Sequence, residues 1–180
     1  MTKEIINRVT SSKLKTFDLE DFYPPGPRTI IDISQWLLEG IVLVESRFRE
    51  NLKTTDFSIY NNHYVAIHCS EDAIVPQWAW MLVQSHLHGI AKKVVYGSLE
   101  QLETEIYREV IASIDVSEFQ DSPVIVKGCS NKPVPVAAYA MMTEKLQEVA
   151  RSIMYGEACS SVPVFKRKNS CRSHFVTSTL

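Results

Sequence analysis

From Tyr64 onward, short unbroken apolar runs alternate with longer stretches whose apolar residues recur every three or four positions. The runs Tyr64–Ile67, Lys93–Tyr96, Val124–Val126 and Ser152–Tyr155 predict strands. Between them, three segments predict helices: Ile74–Ile90, Leu99–Ile114, and residues 134–150. In the first, Ile74, Trp78, Met81 and Leu82 have helical spacing; in the second, Leu99, Leu102, Ile106, Val110 and Ile114 share one face. Such alternation predicts right-handed βαβ crossovers and a largely parallel sheet. Burial on both faces accounts for strands that read as continuous apolar runs.

The part before Tyr64 is less regular. The first fifteen residues are polar and read as loosely held, and Pro24-Pro25-Gly26-Pro27 fixes a turn. Arg28–Ile33 predicts a strand, Ser34 a cap for a short helix through Leu38, Ile41–Val44 a further strand, and Ser46–Lys53 a short helix. One continuous helix over Ser34–Lys53 is the alternative, but Gly40 and the β-branched run after it favour the broken version. Residues 169–180 show no periodicity and read as a disordered tail behind a single domain over 1–168. The basic triplet Lys166–Lys168 reads as a solubilising end rather than a nucleic-acid contact. The predicted class is α/β: a three-layer sandwich with a mainly parallel sheet and an N-terminal strand/helix extension.

Composition excludes several functions and selects none. The chain has 180 residues, 45% hydrophobic and 22% charged, as expected for one ordinary domain. A domain of this size buries roughly 70% of the surface its unfolded chain exposes, so neither metal nor disulfide is needed as a staple. A formal charge of -2 and a pI near 6.2 argue against a mainly electrostatic binder of nucleic acid or membrane. No apolar run approaches the ~20 residues of a membrane span, and the N-terminus offers no apolar secretory segment, so the expected location is the cytosol.

The candidate chemistry lies where the strands end. They run into His68-Cys69-Ser70, Tyr96-Gly97-Ser98, Gly128-Cys129-Ser130 and Ala158-Cys159-Ser160. The serines are explained as caps and turns. The thiols ask for more. In an open parallel sheet ligands bind outside the carboxyl ends of the strands, where Cys69, Cys129 and Cys159 are expected to meet on one edge. Two of them share a C-S-x-x-P-V pattern, Cys129–Val134 and Cys159–Val164. Three thiolates suit a zinc ion with one open or borrowed position, or an iron–sulfur cluster with one iron free. A redox or nucleophilic cysteine at a helix start is a second reading, and plain packing of small hydrophobes, in a non-catalytic interaction or homo-oligomerisation module, a third. Cys171 falls in the tail.

The sequence supports no familiar signature beyond this. There is no C-x-x-C pair and no glycine-rich phosphate loop. His86 and His88 stand two apart, read as solvated, and cannot share a helix face. His68, Asp72 and Glu157 are weak candidates for a fourth ligand, His68 because neighbouring strand residues point to opposite faces. His68-Cys69-Ser70 is similar to the start of a tyrosine-phosphatase loop, but Val75 stands where its arginine belongs, and Glu71 and Asp72 would repel phosphate. Trp78 falls on the apolar stripe of its helix and reads as core; Trp80 falls off it and reads as a candidate interface residue.

Four segments carry a family resemblance: Asp56–Tyr60, His68–Pro76, Ile125–Ser130 and Ser152–Pro163. Together they resemble the DUF2480 family, over residues 3 to about 168. The resemblance implies a bacterial cytosolic protein without an assigned activity and carries over no catalytic residue, substrate or small-molecule ligand. The functional expectation is therefore a thiolate site for zinc or an iron–sulfur cluster on Cys69, Cys129 and Cys159.

Overall fold

In a computed structural model of the chain, residues 14–128 and 131–168 are described. The expected loose N-terminus up to residue 13 and the tail from residue 169 lie outside these residues. Among the described residues, seven strands and four α-helices give an α/β fold with mainly parallel pairing. The strands form two sheets rather than one, and the described residues group into two compact units: 20–114 with 131–138, and 14–19 with 115–128 and 139–168.

The larger unit is built on β2 (Arg28–Asp32), β3 (Tyr64–His68) and β4 (Lys93–Tyr96), parallel and in that order. The two-residue period of β3 sorts its side chains between two layers. Val65 and Ile67 pack with Phe48 and Leu52 of α1 (Glu45–Thr54) and Ala79, Val83 and Leu87 of α2 (Gln77–Leu87). Ala66 faces the opposite way, onto Leu102 and Ile106 of α3 (Leu99–Ser113). This is the predicted three-layer arrangement. Two right-handed crossovers that step the same way across a sheet leave their helices on the same face, as α1 and α2 are.

The predicted elements before β3 change in two places. Ile33–Trp36 is a 3₁₀ turn capped by Asp32, not a helix capped by Ser34. Ile41–Val44 does not form a strand; only Leu38 and Val42 bridge, across a tight turn with Glu39 at φ 53 and Gly40 at φ 78. That turn folds the run back on itself, leaving Ile41 and Val42 about half exposed. Helix α2 starts three residues later than the apolar spacing predicts, because Pro76 at its cap disfavours helical backbone at the residue before it. Ile74 consequently lies outside the helix and is 93% exposed.

The smaller unit holds β1 (Lys15–Asp18), β5 (Pro123–Lys127), β6 (Ser152–Glu157) and β7 (Ser160–Lys166), in the order β1-β5-β6-β7. The first three are parallel, and β7 returns antiparallel beside β6. Helix α4 (Val136–Gln147) connects β5 to β6, with Met142 and Leu146 fully buried. Neither β1 nor β7 is predicted from the sequence. β1 has four residues and buries only Phe17, and β7 contains Pro163, which lacks a ladder donor. The register slips beside it, Met154 pairing with Pro163 and Ile153 with Phe165, which leaves Val164 as a bulge on an edge strand. The basic triplet is partly anchored: Lys166 closes β7, and Arg167 donates to Asp121 Oδ1 at 3.0 Å and to the Glu148 carbonyl at 2.9 Å. Among the described residues no helix is long and apolar enough to cross a membrane.

Candidate functional site

The carboxyl ends of β2, β3 and β4 are tied together by side chains of the turns that follow. Asp32, the last residue of β2, pairs in register with His68, the last of β3. Its Oδ1 accepts the Ser34 N–H at 3.0 Å and, across the strands, the Ser70 N–H at 3.1 Å. The two serine hydroxyls lie 3.3 Å apart. Burial is the largest single influence on Asp32 and pushes its carboxyl upward, but the combined hydrogen bonds from Ser70 and Ser34 outweigh it, bringing the group from 3.8 to about 2. Asp32 is therefore an ionised strut between two turns at neutral pH.

After β4 the chain passes Gly97 at φ 133 into α3. Ser98 and Gln101 form a capping box: the Gln101 N–H donates to Ser98 Oγ at 3.2 Å, and the Ser98 N–H to Gln101 Oε1 at 2.7 Å. A Cβ on residue 97 would sit 2.0 Å from that same Oε1, so the cap requires glycine there.

Between these turns lies an open cleft of about 450 Å³. One wall is aromatic: the rings of Trp80, from α2, and Tyr96, from β4, meet edge to face at 4.6 Å and 67°. His68, Cys69, Glu71 and Ser98 supply polar groups around it. His68 and Cys69 line the same cleft, contrary to the alternation expected of strand neighbours, because β3 ends at His68 and the pleat no longer governs Cys69. A second cleft, of about 460 Å³, runs beside Arg28 and Glu103, whose charges are spent on each other at 2.7 Å.

Cys69 and Cys159 follow strands of different sheets. Cys69 follows β3 of the larger unit, half-buried against its core, with a free thiol. Cys159 is exposed in the tight turn between β6 and β7 of the other sheet. Cys129 and Cys171 lie outside the described residues. The expected single edge is thus divided between two sheets, since β4 and β5, though consecutive in sequence, do not pair: β3 belongs to the sheet β2-β3-β4, and β6 to the sheet β1-β5-β6-β7. Among the described residues no group of three or more His, Cys, Asp or Glu is placed to hold a metal ion. The described parts of the two C-S-x-x-P-V copies also differ in structure: residues 131–134 lead towards α4, whereas Cys159 lies in a turn and residues 160–164 lie within β7. Of the suggested fourth ligands, Glu157 lies 4.0 Å from Lys127 Nζ and Asp72 is exposed. His86 is not simply solvated; its ring stacks on Phe57 at 5.1 Å and 20°.

The smaller unit has a polar strand edge of its own. Lys127 Nζ lies 3.0 Å from Asp18 Oδ2, the residue opposite it in register. Gly128 admits the Tyr139 hydroxyl to within 2.1 Å of where a Cβ would stand, and the Tyr139 ring packs on Tyr155 at 5.7 Å.

Reading the sequence misses Asp32, the Trp80–Tyr96 corner and the capping box. The S-x-x-Q pattern of Ser98–Gln101 was a usable signal for the last of these. The other two depend on residues from separate strands and helices. A family model described as "Protein of unknown function (DUF2480)" matches residues 3–167. No curated protein and no solved structure matches the chain.

Proposed function

The chain belongs to the DUF2480 family, which passes on no assigned activity, and we propose from its geometry that it is a small-molecule-binding α/β protein. The cleft at the ends of β3 and β4 is its site, with the Cys69 thiol and His68 imidazole in the wall. The observation that carries this reading is the aromatic corner of Trp80 and Tyr96 above a cleft of about 450 Å³, a volume in the range that encloses small ligands. The position supports it as well, outside the carboxyl ends of parallel strands and at the start of a helix. A panel of small aromatic fragments, followed by NMR, tests it. Saturable shifts of the Trp80 indole and Tyr96 ring signals are expected, the Tyr96 shift being lost in Trp80→Ala. No saturable shift from any fragment, or binding that survives Trp80→Ala, overturns it.

A thiolate centre is the second reading, favoured by one observation. β5, which precedes Cys129 in sequence, pairs in parallel with β6, which precedes Cys159. With Cys69 added, this is the proposed zinc or iron–sulfur set. Protein purified without oxygen should then hold about one equivalent of zinc or cluster iron, lost in Cys129→Ser. Less than about a tenth of an equivalent, unchanged by that substitution, removes the reading. A non-catalytic interaction or homo-oligomerisation module, its cysteines merely packed, is what would then be left.

A further inference from the structure

We propose that the cleft of the larger unit selects organic cations: small molecules with an ammonium group attached to a flat or aromatic body. The proposal rests on the reading of this cleft as a ligand site and adds the charge of the ligand.

Charge is the first argument. No Lys or Arg lines the cleft, and Glu71 contributes a carboxylate with no ion-pair partner among the described residues. Immediately behind Ser70 stands Asp32, ionised at neutral pH, so the local field is negative. An anionic ligand would meet the Glu71 carboxylate and no Lys or Arg, which costs affinity at close range.

The aromatic faces supply the second argument. Elsewhere in this unit, the partly buried rings of Tyr23, Tyr64 and Trp78 carry the protein's own cations. The Arg28 guanidinium sits 4.0 Å from the Tyr23 ring centroid and 4.7 Å from that of Tyr64; Arg49 lies 5.3 Å from Trp78, and Lys92 5.4 Å from Tyr64. Among the described residues no Lys or Arg lies over Trp80 or Tyr96, although Tyr96 is 67% exposed. Two rings inclined at 67° in a cleft that also holds a carboxylate form the kind of corner that attracts an ammonium group through ring quadrupoles and charge together.

The start of α3 is the natural counter-argument, since helix N-termini favour anions. Here the Ser98 and Gln101 N–H groups are already bound within the capping box, and Glu100 in the first turn offsets the dipole.

The test compares three probes that share a benzene ring: benzyltrimethylammonium, benzyl alcohol and phenylacetate. Each is titrated into the full chain while the Trp80 indole and Tyr96 ring signals are followed by NMR, with Trp80→Phe used to assign the indole. The cation should bind about fivefold or more tightly than the alcohol, the anion most weakly of all, and Glu71→Gln should erase the preference for the cation. Glu71 is exposed, so its substitution leaves the fold intact. If the alcohol or phenylacetate moves the same signals with equal or higher affinity, or Glu71→Gln changes nothing, the charge selectivity is overturned while the ligand site stands. If no probe moves these signals, the site itself falls, and the selectivity with it.

Discussion

Replacing Arg28 with alanine is expected to lower the unfolding free energy by about 3–5 kcal/mol, read as a fall in the urea midpoint at unchanged slope. Arg28 opens β2, and its side chain is only 11% exposed, against 8% for Glu103 on α3. Nε donates to Glu103 Oε1 at 2.7 Å, while one terminal nitrogen donates to the Pro24 and Gly26 carbonyls at 2.7 and 2.6 Å. The guanidinium plane lies between the Tyr23 and Tyr64 rings. Removal strands a carboxylate inside the protein and leaves two turn carbonyls without their donor. Most of the cost is the desolvated, unpaired Glu103, not the intrinsic worth of the pair. The double variant Arg28→Met/Glu103→Leu should therefore recover most of the loss, because apolar side chains of similar volume replace both charges. A loss below about 1 kcal/mol for Arg28→Ala, or a double variant no more stable than the single, contradicts this account.

Phe48→Ala should cost about 3–5 kcal/mol as well, for a different reason. Phe48 is 0% exposed and stands between two indoles. Trp36 meets its ring at 6.0 Å and 84°, and Trp78 at 5.9 Å and 86°. Truncation removes the transfer free energy of the ring and leaves a cavity that two large, rotamer-locked neighbours cannot close. Phe48→Leu should cost less than half as much, since it keeps most of the volume. Near-ultraviolet circular dichroism supplies an independent readout. The asymmetric packing of Trp36 and Trp78 should relax in the alanine variant, reducing the indole signal, whereas a substitution at exposed Ile59 should leave it unchanged. A loss below about 1.5 kcal/mol with an intact indole signal would show that the site collapses more readily than its packing implies.

These two residues differ in how far the sequence announces them. Phe48 and Leu52 lie at helical spacing in a segment predicted to be helical, and both are buried. Glu103, by contrast, occupies α3 between Leu102 and Ile106 and reads as an ordinary charged position. Its burial depends on Arg28, 75 positions earlier, which no local pattern connects to it. The same contrast runs through the elements. The helices α1 and α3 and the strands β3, β4, β5 and β6 lie close to where periodicity predicts them, since each carries its apolar face in its own residues. β1 and β7 are edge strands with little to bury, so pairing with a neighbour, not their own pattern, makes them strands. Ile41–Val44 is the converse case, strand-like in composition but folded back by the turn at Glu39 and Gly40, so that only Val42 bridges, to Leu38.

The candidate site divides along the same line. That His68-Cys69 and Gly97-Ser98 follow strands of a parallel α/β protein is legible in the residues alone, because chain connectivity places a turn after each strand. The sequence also carries the S-x-x-Q signal of the Ser98–Gln101 capping box, which the reading of Ser98 as a lone cap misses. The folded chain, and not its pattern, divides the strands between two sheets and assigns Cys69 and Cys159 to different ones. It also brings Trp80 from α2 against Tyr96 at the end of β4, and aims the Asp32 carboxylate at Ser70 across β2 and β3. The physical reason is that periodicity encodes which face of an element is buried, whereas strand order depends on which edges meet during folding. That choice is made between segments tens of residues apart, and it decides which strand ends share a site.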